Sequence, residues 1–187
     1  DNEVAIGNNG HLLSVQNSNV YRYNTTTSTN LGLQSLSVFF SGLGVTAGKY
    51  DPKVLYDPQA NRFILVCLAG YLSGSTHILV GFSNSDSING TWHLYDLPGN
   101  PFSDSLWTDY PMIAVNNNEL FITGNLLHAN QPWQTGFVET VVWQLNKWDG
   151  YAGDSLRTEL HSGINTNGRP VRNLCPVEAG ALPNASP

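Results

Sequence analysis

Apolar residues in this chain come in short runs, and polar turn-formers close each run. The plainest run is Phe63-Ile64-Leu65-Val66-Cys67-Leu68. A continuous apolar stretch of that length, bounded by Asn61 and Gly70, reads as a buried strand. His77 to Phe82 reads as another, and Thr91 to Leu97 alternates as an amphipathic one. No window of about 11 residues carries apolar positions at i, i+3, i+4 and i+7, so helix signals are almost absent. The pattern predicts an all-β chain of many short strands.

The pattern also repeats. Asp51 to Val66, shifted by 58 positions, falls on Asp109 to Gly124 without a gap. Both segments read as Asp, a short apolar strand, an Asn/Pro turn, and a second strand through Phe63-Ile64 or Phe121-Ile122. Asp1 to Val15 is a weaker third copy whose apolar phase slips by about one residue. Third strands are expected at Val20–Tyr23, His77–Phe82 and Val138–Leu145. Fourth strands are expected at Leu36–Phe40, Thr91–Leu97 and Leu156–Leu160. A four-stranded meander repeated at about 50 residues is the pattern of a β-propeller blade. The blades would span about 1–48, 49–106 and 107–165, with the start of a fourth at about 169–187, its first strand at Val171 to Val177. A β-sandwich is the alternative, although it does not account for the repeated phase.

Composition adds a compartment. Charged residues make up 12% of the 187, about half the usual share of roughly 25%. Asn is present 21 times, and Lys only three times. Solubility carried by uncharged polar groups points to an extracellular or cell-surface setting. Eight basic residues against 14 acidic ones make a poor nucleic-acid binder, because phosphate neutralisation needs many cations. No apolar run approaches the roughly 18–20 residues of a membrane-spanning helix. Cys67, inside its apolar run, is expected to be a buried free thiol, with a Cys67–Cys175 disulfide as the other option. Sequons occur at Asn24, Asn89 and Asn184.

The turn Ser85-Asp86-Ser87-Ile88-Asn89-Gly90-Thr91-Trp92 carries a resemblance. It resembles the Ser-Asp-Ser-x-x-Gly-x-Trp turn of five-bladed arabinanase- and xylosidase-type glycoside hydrolases. It is less similar to the Asp-box of sialidase-like propellers, because Ser87 stands where Asp belongs and Asn89 where Gly belongs. The resemblance covers about 50–125 and implies architecture, with the turn capped by its own side chains and the Trp packed between sheets.

Propellers close with roughly four to eight blades, so three blades imply a fragment. The rest of the polypeptide, or another chain, would complete the ring. The acids opening each first strand, Asp1, Asp51 and Asp109, would converge at one end of the channel. The glycoside hydrolase resemblance implies catalytic roles for Asp51 and Asp109, but Asp109-Tyr110-Pro111 stands where that group carries Glu-Gly-Pro. Strand capping, or holding a structural cation such as calcium, is the other option; no other cofactor is expected. Trp107 and Trp133, placed in inter-strand loops, suit stacking on a sugar face or packing between blades. Among scattered arginines, Arg169 and Arg172 flank the expected fourth unit. His77 and His93 fall on neighbouring strands. The reading is a secreted, bacterial-type β-propeller module with a binding or structural role and a glycan as ligand. The alternative is a glycoside hydrolase or lyase acting on extracellular polysaccharide.

Overall fold

A computed structural model describes residues 2–102 and 104–178. Three four-stranded antiparallel sheets follow one another along the chain, each with its strands in sequence order. The first holds β1 (Glu3–Ile6), β2 (His11–Gln16), β3 (Asn19–Asn24) and β4 (Thr29–Ser35). The second holds β5 (Lys49–Asp57), β6 (Arg62–Ala69), β7 (His77–Ser83) and β8 (Trp92–Pro98). The third holds β9 (Leu106–Val115), β10 (Glu119–His128), β11 (Phe137–Asn146) and β12 (Thr158–His161). Two helices are short: α1 (Leu36–Phe39) and α2 (Lys147–Ala152). A two-residue ladder, β13 (Asn165–Thr166) with β14 (Arg169–Pro170), follows.

The middle sheet explains the apolar run in β6. Phe63, Leu65, Cys67 and Ala69 point to the first sheet, packing with Leu13, Val15, Val20 and Phe40. Ile64, Val66 and Leu68 point the other way, onto Leu120, Ile122, Trp143 and Leu145 of the third sheet. A strand covered on both faces reads as continuous hydrophobicity rather than alternation. Each fully buried aliphatic or aromatic side chain contributes roughly 1.5–3 kcal/mol, so this sheet is the centre of the core. Cys67 is a free, buried thiol and Cys175 a free, exposed one, so no disulfide joins them.

The expected strand at Leu36–Phe40 is corrected: β4 lies earlier and Leu36–Phe39 is helical. Ser35 caps that helix, its side chain accepting from the Val38 N–H. Leu36 and Phe39 are buried while Val38 is 60% exposed, a helical spacing that reads as alternation in so short a segment. The last strand of the third sheet begins at Thr158 rather than Leu156, because α2 occupies the approach. Residues 171–177 form no strand. Asp1 and Asn184 lie outside the described residues.

The sheets stack and do not extend one another's ladders. Side-chain to backbone bonds seal them where the first strands meet. The Val54 N–H donates to Glu3 Oε2 (2.6 Å), and the Asp51 N–H to Asn17 Oδ1 (3.0 Å). The Tyr50 hydroxyl donates to the Gly70 and Thr108 carbonyls (2.9 and 3.2 Å), joining the second sheet to the third.

The opposite end is pinned as well. Lys147 Nζ lies 2.7 Å from Asp57 Oδ2, with both side chains almost fully buried. It also donates to Gln59 Oε1 (3.0 Å) and the Asn116 carbonyl (2.7 Å). The Tyr151 hydroxyl donates to the same Asp57 oxygen. The turn before β8 belongs to this end. Ser83 Oγ accepts from the Phe63 N–H and donates to the Ser85 carbonyl, both at 2.8 Å. Trp92 meets Phe39 edge to face at 5.0 Å, between the first two sheets.

Candidate functional site

A meander brings the beginnings of β5 and β9 to the same end as the β6–β7 and β10–β11 loops. At that end both first strands are bulged. Tyr50 pairs with Leu68 and Lys53 with Val66, so β5 carries one extra residue. Asp109 pairs with Asn125 and Met112 with Thr123, so β9 carries one too. The extra residue is left-handed in each case: Asp51 at φ 46° and Tyr110 at φ 55°. A proline follows both, and it has no N–H to contribute to a ladder. Bulges of this kind redirect side chains and gather beside functional sites.

The bulges also correct the repeat. Pro52 corresponds to Pro111, so Asp51 is the counterpart of Tyr110, and Asp109 that of Tyr50. The ungapped alignment slips by one residue because the third sheet's first hairpin turn is shorter. Phe63 is buried against the first sheet, whereas Phe121 is half-buried on the far face of the third.

A cleft of about 320 Å³ opens beside the second bulge, lined by Asp109, Tyr110, Asn125, Trp133, Arg172 and Asn173. Trp133 lies in the β10–β11 loop and is 60% exposed. The Arg172 guanidinium sits 5.7 Å from the Trp133 ring centroid and 5.1 Å from that of Phe137. Its Nη2 donates to the Trp133 carbonyl at 2.6 Å, which fixes the loop and the cation together. Asn125 is the buried floor. Its Oδ1 accepts from the Thr140 hydroxyl (2.7 Å) and the Asn173 N–H (3.1 Å), and its Nδ2 donates to Asn173 Oδ1 (2.6 Å). With those positions filled, Asn125 holds the wall, and Asp109, Tyr110, Trp133 and Arg172 face the opening.

Burial pushes the Asp109 carboxyl above the ordinary range, while the Tyr110 N–H and the Arg172 charge pull it back. Burial also raises Asp51, and the negative charge of Asp109 raises it further. The two carboxylates thus feel each other across the junction between the second and third sheets. Tyr50 responds to both: burial, then Asp109 and Asp51, hold its phenol protonated.

A second opening of about 330 Å³ lies at the same end, lined by Ser73, Thr76, His77, Asp96, Pro98 and Asn100 among others. There His77 Nδ1 meets both Asp96 oxygens at 2.9 and 3.0 Å. His77 and His93 do not pair, since His77 is engaged by Asp96 and the His93 ring lies against Gly153.

Of the residues singled out in the sequence, Asp109 and Trp133 share the first cleft, and Asp51 stands at the adjacent bulge. Trp107 lies within β9, half-buried, rather than in a loop. Arg172 joins the cleft; Arg169 belongs to β14. Tyr110 and Asn125 carried no sequence signal, because a tyrosine at a bulge and an asparagine inside an apolar strand declare themselves only once the register is known. Among the described residues no group of three His, Cys, Asp or Glu gathers as a metal-ligand set. Comparison with protein-family models, curated proteins and solved structures finds no match to this chain.

Proposed function

We propose that the chain is part of an extracellular β-propeller and that it binds a glycan in the cleft of Asp109, Tyr110, Trp133 and Arg172. One observation carries the binding reading: an indole 60% exposed, a carboxylate and a guanidinium line one opening. An indole stacks on the apolar face of a sugar ring. Charged acceptors and donors beside it orient hydroxyls, which makes the few polar groups of such a site selective.

Three features support the propeller reading. The unit is a sequential four-stranded meander, present three times. Consecutive sheets stack through their faces, with their first strands neighbouring. Asn173 has φ 57°, like Asp51 and Tyr110 at the two bulges, and an Asn side chain of the preceding sheet accepts its N–H, as Asn17 does for Asp51. A β-sandwich remains the alternative arrangement. The far face of the first sheet leaves Val4 and Ile6 more than half exposed, and Leu33 64% exposed. A further sheet, from the same polypeptide or another chain, is the partner that such a stack would take.

The cleft is tested by calorimetric titration with neutral oligosaccharides. Trp133→Ala is expected to weaken binding at least about tenfold, equal to about 1.4 kcal/mol. Unchanged affinity would remove the reading.

A second reading is glycoside hydrolysis, favoured by Asp51 and Asp109 standing at neighbouring bulges, where the Asp109 charge raises Asp51. Paired carboxylates are the working parts of that chemistry. It requires new reducing ends on incubation with oligosaccharide, lost in Asp51→Asn and in Asp109→Asn.

A further inference from the structure

We infer that the ligand is an extended, uncharged saccharide chain lying across three loops, rather than a single sugar held in one cleft. This rests on the glycan reading of the Asp109–Trp133 cleft and deepens it.

Three loops crowd the end that carries both openings: 70–76 between β6 and β7, 99–105 between β8 and β9, and 129–136 between β10 and β11. They are bonded in series. Asn100 Nδ2 donates to the Ser73 carbonyl (3.4 Å), joining the first loop to the second. The Ala129 N–H donates to the Ser105 carbonyl (3.3 Å), joining the second to the third. Arg172 then ties the third to the segment after β14 through the Trp133 carbonyl. The loops therefore form one continuous platform.

Each loop presents one exposed ring: Tyr71 at 69%, Phe102 at 41% and Trp133 at 60%. A single exposed ring is ordinary on a protein surface, but three on loops bonded in series at one end call for a common account. Polar openings accompany the rings along the platform. The Ser73–His77–Asp96–Asn100 opening belongs to the first two loops, and the Asp109–Arg172 cleft to the third. A protein partner would favour rings gathered into one dry centre. Stacking faces with hydrogen-bonding groups among them suit a polymer of hydroxylated rings.

The charges point to an uncharged polymer. His77 Nδ1 meets Asp96 at 2.9 Å, and Asp109 and Arg172 line the same cleft. Asp104 Oδ1 accepts the Leu106 N–H. The Asp109–Arg172 cleft carries one acidic and one basic group, so it attracts neither an acidic nor a basic chain.

The test is a titration of wild type, Tyr71→Ala, Phe102→Ala and Trp133→Ala. The probes are the mono-, di- and hexasaccharides of β-1,4-glucose, β-1,4-xylose, β-1,4-mannose and α-1,5-arabinose, with hexagalacturonate as the acidic probe. In at least one neutral series the hexasaccharide should bind about tenfold tighter than the disaccharide. Tyr71→Ala and Phe102→Ala should each reduce that gain and leave disaccharide affinity unchanged, whereas Trp133→Ala should weaken both. These rings are exposed, so circular dichroism should show all variants folded. A hexasaccharide no tighter than its disaccharide, or a gain that survives both loop substitutions, overturns the inference and leaves the cleft reading standing. Tighter binding of hexagalacturonate than of every neutral hexasaccharide overturns the claim of an uncharged ligand. No binding by any probe overturns this inference and the cleft reading together.

Discussion

Lys147 shows how much one buried charge can organise. Its ammonium is almost fully buried, and three acceptors surround it: Asp57, Gln59 and the Asn116 carbonyl. Removing the cation leaves Asp57 buried with only the Tyr151 hydroxyl and the N–H groups of its own turn. Stranding one partner of such a pair costs about 3–5 kcal/mol. Lys147→Met should therefore lower the urea midpoint by that equivalent, and a change under 1 kcal/mol would mean the pair is not desolvated. Asp109 works in the opposite sense. Its folded-state affinity for a proton is raised, mainly by burial. A carboxyl raised in this way contributes stability that is full below its unfolded value of about 3.8 and is lost as pH rises through the folded value. At neutral pH, ionised Asp109 thus opposes folding. Asp109→Asn should melt higher than wild type at pH 7, with the difference shrinking towards pH 3.5 or so. Equal melting temperatures across that range would contradict the burial argument.

At the scale of elements, the sequence was legible where one physical force dominated. The run Phe63–Leu68 announced a buried strand, which the structure covers on both faces, and Trp92 announced the packing of the turn before it. The β4 strand was not legible, since Thr29, Asn30 and Gly32 look like turn residues and α1 borrowed its alternation. Helix α2 was hidden for a different reason: its six residues are too few for a stripe, and it is started by Asn146, whose side chain accepts from the Trp148 and Asp149 N–H groups. It also needs Gly150. A Cβ there would meet the Phe82 ring at 2.5 Å, because helix and sheet pack without a gap at this point. Gly150→Ala should cost about 1–3 kcal/mol by overpacking, despite alanine's better helix propensity. A stabilised variant would show that the helix is not docked on β7. The site divides along similar lines. Asp109 and Trp133 were visible as chemistry-bearing types, but the shorter hairpin turn of the third sheet shifted the repeat by one residue and made Asp51 the counterpart of Tyr110 instead of Asp109. Tyr71 and Phe102 stayed silent, since a loop aromatic reads equally as packing until its exposure is known.

For the whole molecule, the sheets divide the work between two ends. One end is locked by Lys147–Asp57 and by Asn9 and His11 bonding to the Asp86 carbonyl. The other end carries bulges, two openings and exposed rings, and it is the end at which we propose glycan binding. The all-β meander itself was readable from turn-formers and short apolar runs, because antiparallel neighbours in sequence need only tight turns. The stacking order was not, since it depends on which face each residue takes. The measurement that tests this account most directly is backbone hydrogen exchange by mass spectrometry, with and without a saturating neutral hexasaccharide. Protection is predicted in 70–76, 99–105, 129–136 and 172–174, with 57–62 and 84–91 unchanged. Protection confined to 57–62 and 84–91, or to β1–β4, would place the ligand elsewhere and contradict the account.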